Sequence, residues 1–223
     1  MPDLSIENLV IDSASGRRLL EVPNLTVPSG GSLAVRGPSG AGKSTLLFAI
    51  AGLIAVTAGQ LKWGETDLVG MADTARTTFR GATFGIIFQD HLLFEELSAE
   101  NNAGLAALYA PRQRRAGIGQ VARRMLTDLQ VPWDDPRSVV SFSGGERQRI
   151  AVARALATEP PVILADEPTA SLDRKTADGL IADLLGGAKD AGRTLIAVSH
   201  DPALIDACDR VLTIEDGRVT DHV

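Results

Sequence analysis

The chain has 223 residues, a formal charge of −6 at pH 7 and a 44% hydrophobic fraction, enough apolar material for the core of one sizeable α/β domain. Its acidic balance repels phosphate backbones, so nucleic acid is not an expected partner. A lone cysteine, Cys208, cannot form an internal disulfide and reads as a small buried hydrophobe in a reducing compartment.

Met1–Val10 lacks the basic-then-apolar pattern of a secretory signal. Leu4–Ile11 and Gly31–Arg36 are predicted strands, the second stopping at a glycine-rich turn before a helix over Lys43–Ala51. The longest apolar run, Leu46–Val56, is about half of the roughly 20 residues a membrane-crossing helix needs, so a membrane role is expected to come through a partner. Gly59–Trp63, a turn at Gly64 and Phe84–Phe88 make the first half mainly β. From Glu100 to Val131 the period becomes helical, with a break at Pro111 and a stripe of Val121, Met125, Leu126 and Leu129. Within it, Arg112–Arg115 reads as a solvated helix start. Val162–Ala165 and Thr194–Ser199 are short buried strands flanking a helix over Arg174–Leu185, and Asp216-Gly217 marks a hairpin turn. The sum is an α/β fold on a mainly parallel sheet with an inserted helical stretch.

Between a predicted strand and a predicted helix lie Gly37, Pro38, Ser39, Gly40, Ala41, Gly42, Lys43 and Ser44, a match to G-x-x-x-x-G-K-[ST] in the context that motif needs. Glycines let successive backbone N–H groups turn toward a phosphate chain, and the helix start aims its positive end at the same anion. Lys43 adds a point charge at the β- and γ-phosphates, Ser44 places a hydroxyl for Mg²⁺, and Thr45 assists with phosphate contacts.

The apolar run Val162–Ala165 ends in Asp166 and Glu167, which delivers carboxylates to the ligand-binding edge of a parallel sheet. Two acids after such a run are commonly a plain strand exit; beside the cradle they read as a metal-holding and a catalytic group. Neighbours on a strand point opposite ways, so Asp166 is assigned to Mg²⁺ and Glu167 to the attacking water. Gln89 ends another strand, where its amide carbonyl suits Mg²⁺ or that water. His200 ends a third and can donate a hydrogen bond to the γ-phosphate, although a histidine there is more often part of a turn. His91 and His222 receive no role.

Ser143, Gly144, Gly145, Glu146, Arg147, Gln148 and Arg149, preceded by Phe142, resemble the signature loop of the ABC ATPases, commonly written LSGGQ. The cradle, Gln89, the signature, the run Ile163–Thr169, the turn Ser171-Leu172-Asp173 and His200 follow that family's order across essentially the whole chain. Within the family, the segments around Phe88–Ala99, Tyr109 and Val162–Thr169 look most like the macrolide-exporter and lipoprotein-release type.

The resemblance implies one ABC ATPase domain over residues 1–223. Residues 1–89 and 160–223 would be the P-loop core with an antiparallel β subdomain, and about 90–159 the helical signature subdomain. It implies an ATPase that uses Mg²⁺ and closes head to tail, as a homodimer or with a similar ATPase subunit. Ser143, Gly144, Gly145 and Glu146 would then cover the partner's ATP, and Asp173 would lie at the interface. It further implies integral membrane permease subunits and a place on the cytoplasmic face of the inner membrane, with Gln89–Leu97 turned toward a permease helix.

Phe142 and Glu146 depart from the commonest Leu and Gln, a change the backbone-led binding tolerates. Ser13 stands where the family usually stacks an aromatic on adenine, which implies weaker binding or relaxed base preference. Soluble repair or translation ATPases carry tandem modules or long coiled coils that this chain lacks. A P-loop small-molecule kinase would need neither Ser143-Gly144-Gly145 nor Glu167. Transmembrane signalling without transport stays open, because cargo contacts belong to other chains.

Overall fold

A computed structural model of the chain describes residues 2–222. The first half comprises β1 (Leu4–Asp12), β2 (Arg18–Val27), β3 (Ser32–Arg36), α1 (Lys43–Ile50), β4 (Ala58–Trp63), β5 (Thr66–Asp67), α2 (Asp73–Thr83) and β6 (Phe84–Ile87). There follow α3 (Ala99–Ala103), a 3-10 turn at Leu105–Leu108, α4 (Arg112–Asp128), a second 3-10 turn at Val139–Ser141 and α5 (Gly144–Leu156). The chain closes with β7 (Val162–Asp166), α6 (Arg174–Asp190), β8 (Thr194–Val198), α7 (Pro202–Ala207), β9 (Arg210–Glu215) and β10 (Arg218–His222).

These strands join one sheet in the order β5-β4-β1-β2-β10-β9-β3-β8-β7-β6. The run β9-β3-β8-β7-β6 is parallel throughout, and β1 pairs antiparallel with β2 and β4. A single parallel register pair, Arg218 with Glu21, connects the two regions. Every residue of β7 and β8 is buried, as a parallel sheet covered on both faces requires. The β9–β10 hairpin turns at Asp216 and Gly217, whose φ of 46° and 75° suit the tight turn expected there.

Alternation along β7 sends Val162 and Leu164 into one hydrophobic cluster, with β1, β2, β4 and α1, while Ile163 and Ala165 enter another, with α3–α7. In the first, Trp63 is 1% exposed, its indole N–H donates to the Ile50 carbonyl at 2.9 Å and its ring lies 5.3 Å from that of Phe84. Burying such a ring contributes roughly 2–3 kcal/mol and fixes the end of α1 against β4. No helix among the described residues is long and apolar enough to cross a membrane.

Several elements differ from the sequence expectation, including β5 and α7, for which it had no element. β2 was not foreseen, because Pro23 interrupts its alternation; the ladder passes it where Asn8 on β1 adopts φ 48°. α2 interrupts the mainly β first half, and of its residues only Thr83 is buried, so no apolar stripe announces it. The helical stretch divides into α3, the first 3-10 turn and α4, with Pro111 just before α4; the buried stripe of α4 is Ile118, Ala122 and Leu126, and Val121 is only half-buried. α6 runs on past Leu185 through Gly186 and Gly187 to Asp190.

Candidate active site

The parallel strands converge on a cleft of about 520 Å³ lined by Ser39, Gly40, Lys43, Ser44, Gln89, Asp166, Glu167 and His200. The same cleft includes Thr169, Ala170, Arg174, Val198, Asp201 and Pro202. A cavity of about 560 Å³ among α4, α5 and α6 includes none of the residues assigned to phosphate, metal or catalysis.

The cradle leaves β3 at Gly37 and enters α1 at Lys43. Gly37 has φ 148°, and a Cβ on it would stand 1.9 Å from the Ile214 carbonyl oxygen of β9, so only glycine fits. Lys43 is 7% exposed, and its ammonium donates to the carbonyls of Gly37 and Pro38 at 2.8 and 2.9 Å. That grip folds the lysine back along the loop and holds its charge at the cleft.

Asp166 ends β7 and is 4% exposed. Burial raises its carboxyl pKa, opposed by a Ser44 hydrogen bond and the Lys43 charge, with Asp90 adding to the rise. Its Oδ1 is buried without a hydrogen-bond partner. A buried carboxylate oxygen beside a hydroxyl and lacking a donor is a hard-oxygen arrangement that a divalent cation satisfies.

Glu167 adopts φ 48°, and its N–H donates to the Val198 carbonyl at 2.9 Å. The left-handed backbone, sparsely populated by non-glycine residues, turns its side chain away from that of Asp166 and toward His200. Burial is the main cause that raises the Glu167 carboxyl pKa, opposed chiefly by His200 and then Lys43. Gln89, two residues past β6, and His200, two residues past β8, are both exposed.

Arg174 and Asp201 were not singled out from sequence, and Thr169 entered only as the end of the run Ile163–Thr169. The Arg174 guanidinium bridges Asp201 at 2.9 Å and also Asp178, which ties the start of α6 to the residue after His200. Its place directly after Asp173 was the available signal.

The signature residues are not in this cleft. Ser143 is the N-cap of α5 and forms a capping box: Glu146 N–H donates to the Ser143 hydroxyl at 3.2 Å and Ser143 N–H to the Glu146 carboxylate at 2.7 Å. The backbone hydrogen bond from Ser143 leads in holding the Glu146 carboxyl below its ordinary range. Asp173 is the N-cap of α6, taking hydrogen bonds from the Thr176 N–H at 3.1 Å and hydroxyl at 2.6 Å. Ser13 closes the β1–β2 turn, its hydroxyl accepting from the Arg17 N–H at 3.0 Å. Cys208 is half-buried against the helical cluster, and burial pushes its thiol up to about 11.

A phosphate loop, strand-end carboxylates and a second glycine-bearing helix start on this sheet define an ATP-binding cassette. The family described as ABC transporter matches residues 20–170, and the chain belongs to it; it is an ATPase of that family. The chain is similar to the lipoprotein-releasing system ATP-binding protein LolD of Anaeromyxobacter dehalogenans, 38% identical over 88% of this chain and 82% of that one. With the LolD of Syntrophotalea carbinolica it shares 36% identity over 97% of this chain and 96% of the relative. Among solved structures it resembles the dimeric ATP-binding cassette MJ0796 bound to ADP and Pi, with a TM-score of 0.89 at 29% identity over 99% of this chain and 97% of that one. It also resembles cbiO1 from Clostridium perfringens, part of the ABC transporter complex cbiONQ, with a TM-score of 0.84 at 26% identity over 98% and 87%.

Proposed function

We propose that this ATPase powers a membrane transport complex of the lipoprotein-release or macrolide-exporter type, two cassettes closing around two ATP molecules and reopening as these become ADP and phosphate. The observation that carries the reading is the convergence of Lys43, Ser44, Gln89, Asp166, Glu167 and His200, from four separate strand ends, on one cleft.

In this reading residues 37–45 wrap the phosphates, with α1 and Lys43 countering their charge. Glu167 takes the proton of the attacking water, a role suited by its raised pKa. His200 donates to the γ-phosphate, and Gln89 orients the water. Ser44, Asp166 and Gln89 would hold Mg²⁺, which supplies charge neutralisation at the phosphate oxygens.

Ser143, Gly144 and Gly145 present the α5 start to the partner's ATP, with Glu146 fixing the Ser143 backbone, and Asp173 lies at the interface. The partner is a second copy or a similar ATPase subunit. Residues 1–89 and 160–223 act as the nucleotide-binding core, and about 90–159 as the helical part facing permease subunits at the cytoplasmic side of the inner membrane. Exposed Leu92, Phe94, Leu108 and Tyr109 on that part support a protein-facing surface.

Light scattering of the Glu167→Gln variant with and without Mg²⁺-ATP tests the clamp. An ATP-dependent shift from monomer to dimer that Ser143→Arg abolishes supports it. A variant that binds ATP yet stays monomeric overturns autonomous closure.

A further inference from the structure

Gln89 does not stand on a strand; it sits in a turn closed by the His91 N–H donating to the Phe88 carbonyl at 3.1 Å. The turn exits through His91 and Leu92, two consecutive non-glycine residues with φ of 60° and 48°. Such a pair persists only where its surroundings hold it.

What holds it comes from α5. The Arg154 guanidinium donates through one Nη to the His91 carbonyl at 2.6 Å and through the other to the Leu92 carbonyl. Among the described residues no carboxylate pairs with this half-buried arginine, and burial lowers its pKa. A planar fork spans two neighbouring carbonyls in a way that an ammonium cannot.

The adjacent residue, Ala155, meets the strand that leads into the turn. A Cβ on Gly85 of β6 would lie 2.3 Å from the Ala155 carbonyl oxygen, so strand and helix are in backbone contact at this level. α5 therefore grips the Gln89 segment on both sides, by close packing before it and by the Arg154 fork after it. Eleven residues upstream, the same helix is capped by Ser143.

We infer that Arg154 is a positioning residue, coupling the signature end of α5 to Gln89 so that a shift of the helix moves the amide relative to the reacting phosphate. This rests on the role proposed for Gln89. The coupling acts on the hydrolytic step, because the hydrogen bonds of Arg154 go to the turn's backbone and it is not among the residues lining the phosphate cleft.

The test is a double-mutant cycle on ATPase activity of the full chain, with Gln89→Ala, Arg154→Met, Arg154→Lys and the Gln89→Ala/Arg154→Met pair. We expect Arg154→Met to lower kcat about tenfold or more with KM for ATP within about twofold, Arg154→Lys to rescue little, and the double variant to be no slower than Gln89→Ala. Hydrogen exchange at the His91 and Leu92 amides should rise in Arg154→Met, which reads the turn independently of turnover. If Gln89→Ala slows turnover while Arg154→Met changes neither kcat nor exchange, the coupling is overturned and the Gln89 role stands. If Gln89→Ala leaves kcat intact, the Gln89 reading fails and the coupling with it. Losses that multiply in the pair also overturn it, showing that Arg154 acts apart from Gln89.

Discussion

The Glu167 carboxylate lies 3.4 Å from the His200 imidazole Nε2 and accepts the His200 backbone N–H at 3.3 Å. The ends of β7 and β8 thus share one polar pair, 14% exposed on the glutamate side and 57% on the histidine side. In the proposed mechanism the enclosed member takes the proton and the open member reaches the γ-phosphate.

Glu167→Gln should separate activity from stability. Loss of the base lowers kcat by about 100-fold or more. Because burial makes the charged carboxylate less favourable in the fold than in the unfolded chain, the neutral amide raises Tm at pH 7. Steady-state kinetics and calorimetry on one preparation check both, and a lowered Tm contradicts the burial argument.

The same shift sets a pH dependence. The raised folded pKa means that the base form disappears, as pH falls, above the ordinary glutamate value of about 4.3. The acid limb of kcat should therefore have its midpoint above that value. The stability advantage of Glu167→Gln, present near pH 7, should shrink as pH falls through the folded pKa and vanish below the unfolded one.

Gly37→Ala and Gly40→Ala should differ sharply. At Gly37 the new methyl overlaps the Ile214 carbonyl, whereas at Gly40 it meets nothing within 4 Å and strains only a φ of 77°. The first costs at least about 3 kcal/mol, the second about 1 kcal/mol. Urea denaturation of both variants ranks them.

Asp173 has a local duty as helix cap, so Asp173→Ala alone cannot diagnose an interface role. Asp173→Asn keeps a capping oxygen. It should restore the Tm lost in Asp173→Ala, yet, if the charge works across the dimer, leave ATP-driven dimerisation impaired in light scattering. Full recovery of both would confine Asp173 to capping.

With Ser13 closing a turn rather than presenting an aromatic face, base discrimination should be slight. Stacking contributes about 0.5–1.5 kcal/mol, so KM values for ATP and GTP should agree within about tenfold. A much larger preference for ATP would locate adenine recognition elsewhere.

The phosphate loop and the ends of β6, β7 and β8 were legible because their chemistry constrains residue type: no other residue fits beneath Ile214 at Gly37, and strands buried on both faces read as unbroken apolar runs. β2 was hidden by Pro23, whose accommodation depends on Asn8 of another strand, and α2 by a sequence rich in Thr with no inward stripe. The link from Arg174 to Asp201 spans 27 residues and exists only once α6 and β8 are docked. Arg154 escaped notice for the same reason: its partners are backbone carbonyls, which carry no residue signature.

The alternation along β7 gives the molecule two apolar compartments separated by a single layer of backbone. A substitution within the helical cluster need not repack the cluster that seats the phosphate loop. The sheet partitions the apolar packing, and the links that cross from the helical side to the cleft run through backbone and polar contacts such as those of Arg154.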